Sequence, residues 1–262
     1  MALPNVIVFG ETGAGKSSLV NLIAGHSLAQ VSSRCVGCTF QSTHYTVSIG
    51  GGMQINLYDT AGLEEGQGGT VSNHDAIVKL YTLLRRLENG VSLLIFCMRG
   101  PRIKESCVKN WRLFREIICQ KCVPIVLAVT GLENEADGMD NWWTQNEGHF
   151  TKYEMHPNGV ACITATRGRK GPNGRHLFDE EYTESQTKIR NAIRTAHLRN
   201  PWRVPAAEWF KEIIEVSYTS GKNPQEIRKS REALGSATAE LMRRCEMKAE
   251  EANDLARKLK GI

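Results

Sequence analysis

The chain has 262 residues, 41% hydrophobic and 23% charged, which is enough to bury a sizeable core and excludes a disordered or fibrous class. Its net charge of +5 is mild and fits a solvated surface better than nucleic-acid binding. No apolar run approaches the roughly 18 residues that span a bilayer, the start lacks a charged secretory n-region, and the C-terminus carries no prenylation cysteine, so a cytoplasmic protein with no transmembrane segment is expected.

In chain order, Leu3–Phe9 reads as a short buried strand ending in a glycine-rich turn. Ser17–Ala24 follows with helical spacing of Leu19, Val20, Leu22 and Ile23. His44–Ile49 and Gln54–Asp59 read as strands joined by three glycines, Gly50–Gly52, a hairpin signal. Asn73–Leu87 is expected to be helical, Val91–Cys97 a strand, Lys104–Cys119 a helix and Val123–Val129 a strand. Asn141–Tyr153 (helix), Gly159–Thr164 (strand) and Asp179–Leu198 (helix) complete the series. Buried strands alternating with helices predict a three-layer α/β fold with a mostly parallel sheet and one antiparallel edge strand. This unit occupies residues 1–199, and a helical extension occupies 200–262. Pro205–Tyr218 reads as a short helix. Beyond it, Ile227, Leu234, Leu241, Leu255 and Ile262 recur at multiples of seven, interrupted by Lys248, with Thr238, Cys245, Ala252 and Leu259 on a second seam. That pattern fits either a coiled coil or one amphipathic helix packed on the domain.

The chemistry begins at Gly10-Glu11-Thr12-Gly13-Ala14-Gly15-Lys16-Ser17, which fits GxxxxGK[ST] between a strand and a helix. Glycines let successive N–H groups curl inward into an anion nest, and the helix N-terminus, extending to Ser18, adds its dipole. Lys16 can reach β- and γ-phosphates, and the Ser17 hydroxyl can ligate magnesium. Asp59-Thr60-Ala61-Gly62 ends the third strand, where Asp59 can reach the same metal and the Gly62 N–H the γ-phosphate.

Two CxxC pairs, Cys35/Cys38 and Cys119/Cys122, invite a zinc reading. On this fold the first lies in a loop at the nucleotide edge and the second near the start of a strand, at the opposite edge. One tetrahedral site cannot draw on both.

With the phosphate loop and the Asp59–Gly62 element, the chain resembles the P-loop GTPases over residues 4–198. The resemblance implies a G domain that binds GTP and GDP with Mg2+ and hydrolyses GTP. It places Thr39 on the magnesium ion when GTP is bound, with Thr43 as runner-up. It matches Thr130-Gly131-Leu132-Glu133 to the guanine-reading motif. Glu133 then accepts from the guanine N1–H and amine, while Gly131 replaces a lysine whose stem normally covers the base. Thr164-Ala165-Thr166 takes the place of the fifth, SAK-like motif. The relaxed fourth motif is similar to the septin, chloroplast-import-receptor and immunity-associated group, and TGLE, NWWTQNE and ACITATRG resemble fungal G-domain proteins.

Small GTPases place a water-orienting glutamine after the DxxG glycine. Here that residue is Leu63, which implies slow intrinsic turnover. Arg102, just after the Val91–Cys97 strand, is the candidate to supply charge across a homodimer, with Arg34 second. The site proposed for catalysis is therefore Lys16, Thr39, Gly62 and Arg102. Two alternatives remain, a nucleotide-gated dimerisation module with little hydrolysis and a general P-loop NTPase. A protein effector is implied but not identified. Trp142-Trp143 reads as a partner surface or a buried tryptophan, and Arg167–Arg175 as a basic loop.

Overall fold

The computed structural model describes residues 2–29, 43–60, 74–119, 121–203, 238–239, 241–243 and 247–260. Six strands form one sheet in the order β2-β3-β1-β4-β5-β6. They are β1 (Asn5–Gly10), β2 (Thr43–Ser48), β3 (Gln54–Asp59), β4 (Leu93–Arg99), β5 (Ile125–Thr130) and β6 (Gly159–Cys162). All neighbours are parallel except β2 against β3, so the expected single antiparallel edge is present. The Gly50–Gly52 turn that joins this pair has positive φ at all three glycines (84°, 62°, 73°), a conformation side-chain-bearing residues resist.

The helices are α1 (Lys16–Ala24), α2 (His74–Arg86), α3 (Glu105–Trp111), α4 (Met139–Lys152), α5 (Asp179–Ala196) and α6 (Ala249–Lys260). The helix expected over Lys104–Cys119 is α-helical only to Trp111. Arg112–Ile118 continues as a wider π-helical segment and delivers Leu113, Phe114 and Ile118 to the core.

The period of two in the central strands sorts side chains onto two faces. Ile7, Phe9, Leu94, Phe96, Leu127 and Val129 face one core with α2, α3, α4 and α6. Val6, Val8, Leu93, Ile95, Val126 and Ala128 face the other with α1 and α5. Both faces being covered explains why β1, β5 and nearly all of β4 read as unbroken apolar runs.

In the C-terminal segment, Leu241, Ala252, Leu255 and Leu259 are buried in the same cluster as Leu80, Tyr81 and Leu84 of α2, and α6 contacts α2 directly. Of the two sequence readings, the described residues fit the helix packed on the domain. Its apolar stripe is already occupied within the chain. Pro205–Tyr218, Ile227, Leu234, Cys245 and Ile262 lie outside the described residues.

Candidate functional site

The loop after β1 is shaped by backbone geometry. Gly13 and Gly15 have φ of 78° and 90°, and Ala14 N–H donates to the Glu11 carbonyl at 3.2 Å. The first intrahelical bond of α1 runs from Leu19 N–H to Gly15 O at 2.8 Å. The N–H groups of Lys16, Ser17 and Ser18 therefore have no acceptor in the preceding helical turn, and no side chain among the described residues caps the helix start. Open donors, a helix dipole and a lysine converge where an anion would sit. Thr12 and Gly13 are exposed at the lip, Ala14 is buried, and Ser17 and Ser18 are half-buried.

Lys16 is buried, and its Nζ donates to the Glu11 carbonyl at 2.8 Å. Burial lowers its pKa from the usual lysine range, opposed by the nearby Cys97, Asp59 and Glu11. Cys97 stays protonated, because burial pushes its thiol up to about 12, and it donates to the Ala14 carbonyl at 3.2 Å. Asp59, at the end of β3, has its carboxyl pKa raised by burial, against a hydrogen bond from the Ser17 side chain and the Lys16 charge. Its Oδ1 is buried without a hydrogen-bond partner among the described residues. A hydroxyl beside a carboxylate with an oxygen to spare is a hard-oxygen donor pair. It suits magnesium, which keeps its other positions for phosphate and water. Ser17 and Asp59 therefore fit that ion. Thr60, next to Asp59, turns its hydroxyl to the Val8 carbonyl at 2.7 Å.

The first residue of the loop has a further constraint. A Cβ on Gly10, whose φ is 147°, would lie 2.0 Å from the Cys97 carbonyl oxygen, so the contact between β1 and β4 itself demands glycine there.

The segment expected from the sequence to read the base follows β5. The Thr130 hydroxyl donates to the Ala14 carbonyl at 2.7 Å, tying this strand end to the phosphate loop. Glu133 holds Oε2 buried and unpartnered among the described residues, a second spare carboxylate oxygen at the same edge of the sheet. Thr164 is buried beyond β6, its N–H bonded to Ser185 Oγ at 2.9 Å and its hydroxyl donating to the Thr166 carbonyl at 3.1 Å. Its side chain shapes the loop that carries Ala165.

Glu11 has a role the sequence did not signal. Its carboxylate accepts from the Ser106 hydroxyl and, at 3.4 Å, from the Cys107 thiol, and pairs with Lys104 Nζ at 3.4 Å. The phosphate loop is thereby fastened to the start of α3. Between β4 and α3, Arg102 is exposed on a segment held at several points. Gly100 N–H donates to Thr130 O at 2.8 Å, and the indole of buried Trp142 donates to Pro101 O at 3.1 Å. Trp142 is thus a core residue that pins this loop.

The Arg167–Arg175 run is folded as a hairpin with a Lys170–His176 bridge. Its Arg167 pairs with Asp179 at 2.6 Å and lies over the Tyr182 ring. Thr39, Gly62, Leu63, Arg34, Cys35 and Cys38 lie outside the described residues, and for Thr43 only the backbone is described. Buried Cys119 and exposed Cys122 precede β5, at the edge of the sheet away from the phosphate loop.

Comparison with known proteins agrees with this geometry. Residues 5–130 match the family described as 50S ribosome-binding GTPase. Immune-associated nucleotide-binding protein 10 of Arabidopsis thaliana is 27% identical over 146 residues, covering 54% of this chain and 31% of that protein. Immune-associated nucleotide-binding protein 3 of the same plant is 24% identical over 156 residues, covering 58% and 46%. The chain thus spans less than half the length of these curated relatives. The structure of Era in complex with MgGDPNP and a 16S ribosomal RNA segment superposes with a TM-score of 0.52 at 16% identity, covering 86% of this chain and 69% of that one. At that identity the likeness speaks for the fold. Strand order, phosphate loop and the family match over residues 5–130 together show that this chain contains a P-loop GTPase G-domain core.

Proposed function

We propose that this protein binds GTP and GDP with Mg2+ and slowly hydrolyses GTP to GDP and phosphate, as a molecular switch completed by a second copy of itself. The observation that carries the reading is the pair of buried carboxylate oxygens without a partner among the described residues, Asp59 Oδ1 and Glu133 Oε2, at the same edge of the sheet as Lys16. A buried polar atom without a partner costs free energy, and each has a natural partner in a magnesium–guanine nucleotide complex. Glu133 suits the guanine N1–H and exocyclic amine, a donor pair adenine lacks.

Phosphoryl transfer needs positioning and charge neutralisation more than covalent help. In this reading the α1 N-terminus and the Gly13–Lys16 backbone orient the phosphates, and Lys16 holds positive charge on them. Ser17 and Asp59 would hold magnesium, with Thr39 joining them and the Gly62 N–H meeting the γ-phosphate. Bound magnesium supplies charge neutralisation and fixes the phosphate oxygens. Leu63 cannot orient water, so charge has to come from elsewhere, and Arg102 stands exposed on a loop clamped by Thr130, Trp142 and the Lys104–Glu11 pair. A fixed loop presenting an arginine at the nucleotide edge suits delivery to a partner copy. The described cysteines are free thiols, and no helix among the described residues is long and apolar enough to cross a membrane. A cytoplasmic setting accords with both.

The deciding experiment is calorimetric titration of GTP, GDP and ATP with magnesium present and chelated. Guanine nucleotides should bind at least about tenfold tighter than ATP, and the Glu133→Ala variant should lose about 1–3 kcal/mol for guanine. If ATP binds as well as GTP to the wild type, the protein is a P-loop nucleotide hydrolase without base selection.

A further inference from the structure

A carboxylate at Glu133 grips the edge of a base and leaves its flat faces to be covered. Two residues earlier, Gly131 has no side chain and a φ of 81°. The space beside it is not open. A Cβ built there would lie 3.4 Å from Arg99 Cγ and 3.6 Å from Arg99 Nε. Arg99 is the last residue of β4 and pairs in register with Thr130, the residue whose hydroxyl is tied to Ala14 of the phosphate loop. The next residue, Gly100, donates its N–H to Thr130 O at 2.8 Å. The backbone carrying Arg99 is therefore locked to the strand that leads into the base-reading segment. The Arg99 side chain is exposed and makes no hydrogen bond or ion pair with another described residue.

We propose that Arg99 is a base-contacting residue, its stem and guanidinium plane lying against the face of the bound purine in the place that a side chain at position 131 would fill. The proposal rests on the nucleotide reading above. Arginine suits the task because its planar, weakly hydrated, permanently charged group stacks on aromatic faces. A face contact does not distinguish guanine from adenine. Arg99 therefore adds affinity for either purine, while discrimination stays with Glu133.

The test compares wild type, Arg99→Ala and Arg99→Lys for binding of GDP, ADP and inorganic triphosphate, each displacing a fluorescent guanine nucleotide, with thermal unfolding as the check on folding. Arg99→Ala should weaken GDP by about three- to tenfold and weaken ADP by a similar factor where it binds, leaving inorganic triphosphate unchanged. Arg99→Lys keeps the charge but not the plane and should recover only part of the loss. Unchanged GDP affinity in Arg99→Ala overturns the proposal. So does a parallel loss of inorganic triphosphate, because the residue would then act through charge on the phosphates. Wild-type protein that binds GDP and ADP equally would remove the guanine reading, yet an Arg99→Ala loss shared by both purines would still uphold the face contact.

Discussion

The Thr130 hydroxyl sits 2.7 Å from the Ala14 carbonyl, across 116 residues of sequence. One hydrogen bond thus joins the strand end proposed to read the base to the loop proposed to hold the phosphates. Thr130→Val keeps the shape and removes the donor, leaving the buried Ala14 carbonyl with the weak Cys97 thiol. Urea unfolding should report a loss of about 1–3 kcal/mol. Guanine nucleotide affinity should fall with it, because the loop loses its fixed height relative to Glu133. Thr130→Ser should restore most of both. A valine variant as stable and as tight as wild type would show that the tie carries no strain of positioning.

Lys16 combines a proposed ligand role with a cost to the free protein. Burial lowers its pKa, so the charged form is disfavoured by folding. Free-protein stability attributable to this group should therefore rise as pH climbs from its lowered folded value toward the ordinary lysine range. Lys16→Met should leave the unliganded protein at least as stable as wild type while weakening GTP by on the order of 3 kcal/mol or more. The pH profile of GTP affinity should be bell-shaped. On the alkaline side it declines as Lys16 deprotonates, earlier than an exposed lysine would. On the acid side the magnesium-dependent part is lost as pH falls through the Asp59 value, which burial raises. Asp59→Asn should abolish the acid limb, as followed by calorimetry in magnesium buffers.

Hydrolysis should depend on protein concentration. Where an arginine is delivered in trans, the effect on rate can reach about 10³–10⁵, so specific activity should climb as the protein is concentrated. Arg102→Ala should flatten that climb and leave GTP affinity within about twofold, since the side chain is exposed on its own subunit. A flat wild-type profile would exclude the second copy from catalysis. A climb that persists in Arg102→Ala would transfer the role to another arginine.

Leu255 lies fully buried between α6 and the α2 residues Leu80, Tyr81 and Leu84. Leu255→Ala should destabilise the nucleotide-binding unit itself by about 2–5 kcal/mol. It should also lower the temperature to which bound GDP protects it. If the mutant melts like wild type, α6 is a detachable appendage.

What could be read from the sequence was what is local. Gly10–Ser17 announces its chemistry because nest, lysine and helix start occupy eight consecutive positions. Asp59 is legible from the Asp59-Thr60-Ala61-Gly62 element at the end of the alternating strand Gln54–Asp59, whereas Glu133 is picked out only by the resemblance to the P-loop GTPases. The clamp on Glu11 was not legible. Ser106 is 95 residues away, and neither residue type signals the other. The pinning of Pro101 by Trp142 is equally non-local, although the tryptophan was expected to be either core or surface. The seven-residue series in the tail marked a stripe without naming what it would cover. The answer, α2, comes from tertiary packing against an element far away in sequence. The π-helical stretch after Trp111 left no mark, since a wider turn and an α-turn bury much the same apolar residues.

The glycine that opens the phosphate loop owes its identity to the sheet. With the Cys97 carbonyl oxygen 2.0 Å from where a Cβ would be, any side chain at position 10 wedges β1 away from β4 before a ligand is ever met. A mutational screen scored on nucleotide capture would rank Gly10 beside Lys16, although the two fail for opposite reasons. Lys16 variants would be sound proteins that cannot hold phosphate. Gly10 variants would be damaged at the seam of the sheet, and thermal unfolding without nucleotide would separate the two classes, the Gly10 variants melting early and the Lys16 variants no earlier than wild type.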